Sequence, residues 1–129
     1  MIIGVGIDVI EVERLARDLA KKAGVIQELF AAKEIAYCRR KRYPSQHFAA
    51  RFCAKEALFK ALGSGKRGKM SWQDVQILNN DVGLPFVKLR GATKEQARRL
   101  GVNRIHVTLS HTRQMAAACV IMETEDWQK

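Results

Sequence analysis

The chain has 129 residues, of which 47% are hydrophobic and 28% charged, a balance that suits one soluble domain with a true core and leaves no room for a second. No Pro/Gly/Ser-rich linker, internal repeat or low-complexity stretch interrupts it, which excludes a fibrous or disordered chain. Twenty-three Lys and Arg against 13 Asp and Glu give a net charge of +10, so the expected partner is anionic: nucleic acid, a phosphorylated small molecule or an acidic protein.

The opening segment MIIGVGIDVI is apolar apart from glycine and Asp8. It is too short for a membrane span, lacks a basic n-region and holds a carboxylate, so neither a signal peptide nor a membrane anchor is expected and the location expected is cytoplasmic. Read as a strand over residues 2–10, it puts Ile3, Val5, Ile7 and Val9 on one face and Gly4, Gly6 and Asp8 on the other. Glycine inside a strand marks close approach of a ligand or another backbone.

Residues 11–22 change to helical spacing, with Val12, Leu15, Ala16, Leu19 and Ala20 in an apolar stripe and Arg14, Arg17 and Lys21 opposite them. Gly24 is a stop signal. A shorter helical region runs to Arg42 and ends in the basic run RRKR. The next helix is expected to be capped by Ser45 after Pro44 and to end at Gly63. Phe48, Phe52, Phe59 and Leu62 form its apolar stripe, with Lys55 in the middle and Glu56 at the edge.

WQDVQIL and FVKL read as strands joined by the turn NDVGLP, ATKEQARRLG as a short helix, and RIHVTLSH with MAAACVIME as a final antiparallel pair turning at 112–114. Mixed helices and hairpins of this kind predict an α+β fold.

Several motifs have ordinary readings. GSGKRGKM matches the beginning of a P-loop, but Met70 stands where Ser or Thr is required and the segment follows a helix, so a P-loop is not expected. The RRKR run lacks the interleaved aromatics of nucleic-acid modules. Cys38, Cys53 and Cys119 are odd in number and widely spaced, which argues for reduced thiols rather than disulfides or zinc. His106 has the look of a strand histidine, whereas His111 ends a strand where it can reach a cleft.

Asp8 in an apolar strand and Lys55-Glu56 on an aromatic stripe break the local binary pattern, and such breaks are where function is expected. A buried Asp8–Lys55 ion pair would explain part of this. A hard cation held by Asp8 and Glu56 would explain both carboxylates, since Mg²⁺ takes one or two carboxylates together with water and substrate phosphates. Lys60, one turn beyond Glu56, would then face a phosphate beside the metal.

GIDVIEVER, RFCAKEALFKALGSG, WQDVQI and HVTLSHTRQMAAACVIME together resemble the holo-[acyl-carrier-protein] synthases, small 4'-phosphopantetheinyl transferases, over nearly the whole chain. The resemblance implies the 4'-phosphopantetheinyl transferase fold, α+β with a long helix on a mainly antiparallel sheet. It also implies a homotrimer with active sites between subunits. The activity implied is Mg²⁺-dependent transfer of phosphopantetheine from coenzyme A to a serine of acyl carrier protein, with no membrane or nucleic acid involved. By the same resemblance Asp8 and Glu56 match the metal-binding acids, Glu56 and Lys60 the catalytic groups, and Lys60 the residue for the pyrophosphate. Arg51, Gly63, His111 and Thr112 fall in the coenzyme A site, and Arg14, with Arg17 and Lys21 beside it, would meet the carrier protein. The proton of the carrier serine would go to Glu56 or to a metal-bound water. The alternative class is a non-catalytic basic RNA-binding domain, and a third is a module that binds acidic proteins without chemistry.

Overall fold

A computed structural model describes residues 1–125, so the last four residues of the expected 1–129 domain lie outside the described part. The chain order is β1 (Ile2–Glu11), α1 (Val12–Ala20), α2 (Val25–Leu29), α3 (Ala32–Arg39), α4 (Pro44–Ala61), a 3-10 turn (Trp72–Asp74), β2 (Val75–Asn79), β3 (Pro85–Leu89), α5 (Gly91–Arg99), β4 (Arg104–His111) and β5 (Met115–Glu123). β1, β5 and β4 form an antiparallel sheet in that order, and β2 and β3 form a separate antiparallel hairpin. The α+β class is therefore as the sequence implies. Among the described residues no helix is long and apolar enough to cross a membrane.

The long helix α4 lies across β1 and β5, and small residues make this possible. Ala49, Ala50, Ala54, Ala57 and Ala61 on the helix, and Ala116 and Ala118 on β5, are all buried. A Cβ built on Gly4 would sit 2.3 Å from the carbonyl oxygen of Ala61, and one on Gly6 only 1.9 Å from that of Ala57. The two glycines thus exist where helix backbone meets strand backbone, which is the second of the two uses expected for them.

Because the glycine face of β1 points inward, its β-branched face points out. Val5, Ile7 and Val9 are 60%, 66% and 61% exposed in the single chain. Cys119 and Ile121 of β5 stand beside Ile7 and Val5 in the register and widen this apolar surface.

The helix α4 begins at Pro44, at its first turn where a missing N–H costs nothing, and not with a Ser45 cap: no side chain caps it. It stops at Gly63, whose φ of 83° only glycine adopts freely and whose N–H donates to Lys60 O at 2.9 Å. Its aromatic stripe packs as expected, with Phe48 against Phe30 and both Phe52 and Phe59 against Trp72. Trp72–Asp74 is a 3-10 turn instead of the expected start of a strand. The cause is Asp74, whose carboxylate accepts from the N–H and hydroxyl of Ser71 and from the hydroxyl of Thr93, closing the chain into a tight turn.

Candidate active site

Asp8 lies on the glycine face of β1, against α4. Its side chain is 16% exposed, and the Nζ of Lys60 donates to its Oδ1 at 3.1 Å and to the carbonyl of Ile7 at 3.0 Å. Glu56 stands one helical turn before Lys60. Burial pushes the Glu56 carboxyl above the usual range, the nearby charge of Asp8 pushes it the same way, and Lys60 pulls it back. Glu56 feels the charge of both Asp8 and Lys60, so the three groups form a single electrostatic unit. Beneath them the Cys53 thiol, pushed up to about 12 by burial and by Asp8, stays protonated; it donates to the carbonyl of Ala116 at 3.4 Å.

The ion pair between Asp8 and Lys55 is not formed. Lys55 is fully buried on the other side of α4, where it donates to Glu34 Oε1 at 2.9 Å, to Trp72 O at 3.0 Å and to Val75 O. Burial pulls the Lys55 ammonium below its usual range and Glu34 opposes that pull. Asp8 is left with Lys60, an exposed lysine whose surface pairing is worth about 1 kcal/mol or less. Such a side chain turns to another anion at little cost.

About 8 Å along the helix axis from Glu56 lies Arg51. It is 2% exposed, with its guanidinium over the Tyr37 ring at 4.0 Å and Nη2 donating to Asn79 Oδ1. Its Nε is buried without a hydrogen-bond partner among the described residues. The same Tyr37 ring carries Lys41 at 4.5 Å and Arg40 at 6.0 Å, and His47 stacks edge-on between Tyr37 and His111. The pKa of His47 is lowered by its burial and by His111, Arg51 and Lys41. So many cations around one ring, with a donor of Arg51 unspent, make a place that an anion completes.

The other expected residues are distributed around these two clusters. Gly63 closes α4 three residues beyond Lys60. Thr112 builds the β4–β5 turn, its Oγ1 accepting from the N–H groups of Gln114 and Met115. Arg14, Arg17 and Lys21 are exposed on α1, where Arg17 pairs with Glu13 and Lys21 with Asp18. Arg14 has no ion-pair partner among the described residues and faces a cleft of about 570 Å³ that it shares with Arg113. The tie between Val12 N–H and Gln114 O at 2.9 Å joins this face to the β4–β5 turn.

Tyr37, His47 and Asn79 are the residues of the anion cluster that sequence reading passed over. The RRKR run was the available signal. Arg40 and Lys41 from it stack on Tyr37, three and four residues away in the sequence.

Among the described residues no group of three or more His, Cys, Asp and Glu gathers as a metal cage. Asp8 and Glu56 are two hard oxygen donors, both half-buried. That set suits Mg²⁺, which keeps water and recruits substrate phosphate, and does not suit zinc.

The family model of the 4'-phosphopantetheinyl transferase superfamily matches residues 4–120. The chain belongs to this superfamily. It is 40% identical over 124 residues to the holo-[acyl-carrier-protein] synthase of Geotalea daltonii, covering 95% of this chain and 99% of that one. Among solved structures it is similar to the holo-[acyl-carrier-protein] synthase of Neisseria meningitidis, with a TM-score of 0.87 at 27% identity over 96% of this chain and 100% of that one. It is similar too to the Bacillus anthracis synthase in complex with CoA (3',5'-ADP), with a TM-score of 0.79 at 28% identity over 97% and 99% of the two chains.

Proposed function

We propose that the chain is a Mg²⁺-dependent holo-[acyl-carrier-protein] synthase of the cytoplasm, a single domain over residues 1–129 that serves fatty acid biosynthesis. It moves 4'-phosphopantetheine from coenzyme A to a serine of acyl carrier protein and releases adenosine 3',5'-bisphosphate. The observation that carries this reading is the meeting of Asp8 and Glu56 across the β1–α4 contact, with Lys60 beside them, in a chain of this superfamily.

Asp8 and Glu56 would hold the magnesium. When bound, it neutralises the pyrophosphate and stabilises the charge that grows as the phosphorus–oxygen bond breaks. Lys60 turns from Asp8 to a pyrophosphate oxygen, a step its weak surface pairing allows. Glu56 is the group of this chain placed to take the proton of the carrier serine as its oxygen attacks the phosphorus next to the pantetheine arm. The electron pair of the broken bond leaves with adenosine 3',5'-bisphosphate. Arg51, His111 and Thr112 receive the nucleotide end, and Gly63 leaves room for the substrate beyond Lys60.

Arg14, Arg17 and Lys21 dock the acidic carrier protein by charge, which speeds encounter and selects the partner. The row Ile3, Val5, Ile7 and Val9 is too large an apolar surface for a monomer to leave in water, and a second copy of the chain is its occupant. A homotrimer with active sites between subunits meets that need.

The test is incubation with apo acyl carrier protein and coenzyme A, followed by mass spectrometry of the carrier. One phosphopantetheine per carrier chain is expected with Mg²⁺ and none with a chelator. An unmodified carrier, together with tight salt-sensitive RNA binding, would overturn the enzyme reading in favour of a basic binding domain.

A further inference from the structure

Lys55 and Glu34 take no part in the chemistry described, yet they are the most deeply buried charges in the structure, both at 0% exposure. Every donor of the Lys55 ammonium is used: one on Glu34 Oε1, one on Trp72 O and one on Val75 O. Glu34 is as fully occupied, its Oε1 also accepting from Ala31 N–H at 2.9 Å and its Oε2 from Ile77 N–H at 3.0 Å. One ion pair therefore ties together the start of α3, the middle of α4 and the first half of β2.

Two of those elements, α3 and β2, line a cleft of about 580 Å³ together with the β2–β3 turn and β3. Lys33 and Tyr37 of α3, with Arg40 just beyond its end, form one wall, and Asn79, Gly83 and Phe86 of the hairpin form the other. Glu34 lies on α3 between Lys33 and Tyr37, so its bond to Ile77 N–H crosses from one wall to the other. The hairpin pairs with no other strand among the described residues, and a lone two-stranded hairpin does not hold its own position. Polar side chains anchor it at three points: Lys55 at its beginning, Glu34 at Ile77 and Arg51 at Asn79. Lys55 is four residues beyond Arg51, on the same face of α4.

We infer that the Glu34–Lys55 pair is a positioning device for the nucleotide end of coenzyme A, fixing the spacing of the two walls beside Arg51 so that Tyr37, Asn79 and the guanidinium meet the ligand together. The inference rests on the reading of Arg51 given under Proposed function. A buried ion pair is poor evidence for stability, because a well-packed apolar pair in its place is often as stable. What an apolar pair lacks is direction: it tolerates sliding of α3 against β2, whereas charged hydrogen bonds of fixed length do not.

The test compares the wild-type assembly with the double variant Glu34→Met/Lys55→Met. Three quantities are measured: thermal unfolding, binding of adenosine 3',5'-bisphosphate by calorimetry, and steady-state transfer to carrier protein. Loss of folded protein lowers kcat and leaves KM alone, while misplaced walls raise KM and spare kcat. The double variant takes their side-chain partners from Trp72 O, Val75 O and the N–H groups of Ala31 and Ile77, so it is expected to unfold well below wild type and, assayed below its own unfolding temperature, to keep its kcat and Mg²⁺ half-saturation. It should bind the bisphosphate about tenfold more weakly, with an equal rise in KM for coenzyme A. Wild-type bisphosphate affinity in the folded double variant would overturn the inference. If the double variant does not fold, the single variant Glu34→Gln, assayed below its own unfolding temperature, makes the same comparison with the same overturning result. Failure of the wild-type protein to bind bisphosphate or to transfer phosphopantetheine would instead sink the functional reading beneath it.

Discussion

Gly6→Ala is the smallest change that should separate the two halves of the proposed active site. The added methyl would stand 1.9 Å from Ala57 O and 2.9 Å from both Ala57 C and Ala61 N. All of these are helix backbone, so no side chain can rotate away. Reaching an ordinary contact of 3.4 Å requires α4 and β1 to part by about 1.5 Å. Overpacking a dense interior costs about 1–3 kcal/mol, and an obstacle made of backbone places this substitution at the upper end. For a chain of this length that lowers Tm by roughly 10 °C.

The effect on transfer should be larger than the effect on folding. Asp8 rides on β1 and Glu56 on α4, so the same displacement opens the distance between the two carboxylates. A misplacement of about 1 Å commonly costs on the order of a hundredfold in rate. Transfer measured well below the variant's Tm should therefore fall by at least about a hundredfold in kcat/KM, with Mg²⁺ half-saturation moving to higher concentration. Gly4→Ala serves as the internal control: its methyl would meet Ala61 O at 2.3 Å, nearer the end of the helix, and both effects should be smaller. Gly6→Ala within about threefold of wild type, or Gly4→Ala the more damaged of the two, would refute the claim that these glycines seat the helix.

Glu56→Gln tests the electrostatics of the acid pair. A raised carboxyl pKa means that the folded state holds the proton more tightly than the unfolded chain. Its contribution to stability is thus complete below the ordinary value of 4.5 and is lost as pH rises through the folded value. At pH 7 with a chelator, Glu56→Gln should raise Tm above wild type, the gain shrinking toward pH 4; a lower Tm at pH 7 would contradict the assignment. Arg14→Glu should raise KM for carrier protein by about tenfold with KM for coenzyme A unchanged, and equal rises in both would point to damaged structure instead. Val5→Asp, at a position 60% exposed in the single chain, should leave the protomer folded but dissociate the assembly in sedimentation, and transfer should fall with it. A fully assembled Val5→Asp protein would show that some other face makes the contact.

Where structure follows local periodicity, the sequence displayed it. β4 and β5 span the residues their alternation predicts, α4 ends at the glycine that predicts its end, and NDVGLP makes its turn with Asn80 Oδ1 accepting from the N–H groups of Val82 and Leu84. Alternation along β1 separated its faces but did not say which one points inward. That depends on α4, whose alanines accept glycine opposite them and leave no space for Val5 or Ile7. Glu34 was invisible for a related reason. Its burial is created by Lys55, 21 residues further on, and nothing in AAKEIAYC marks it as different from a solvated glutamate. With Glu34 unseen, Asp8 was the nearest available partner for Lys55, and the true partner of Asp8 proved to be Lys60, one turn beyond Glu56.

The two faces of α4 explain why such different residues sit within ten positions of one another. Toward β1 the helix presents alanine backbone, Glu56 and Lys60, and the glycines let the strand come close enough for Asp8 to accept from Lys60 beside Glu56. Toward α3 and the hairpin it presents Arg51 and Lys55, both buried and both tied to the hairpin. A rotation of the helix that improved one face would pull the other out of register. The strand contact has no slack, since even a methyl group does not fit at Gly6, and the Lys55 ammonium has no donor left over. The helix is thereby held against rotation from both sides. Arg51 and Glu56 keep a fixed separation of about 8 Å along its axis, the dimension that a ligand with phosphates at two distant points can read.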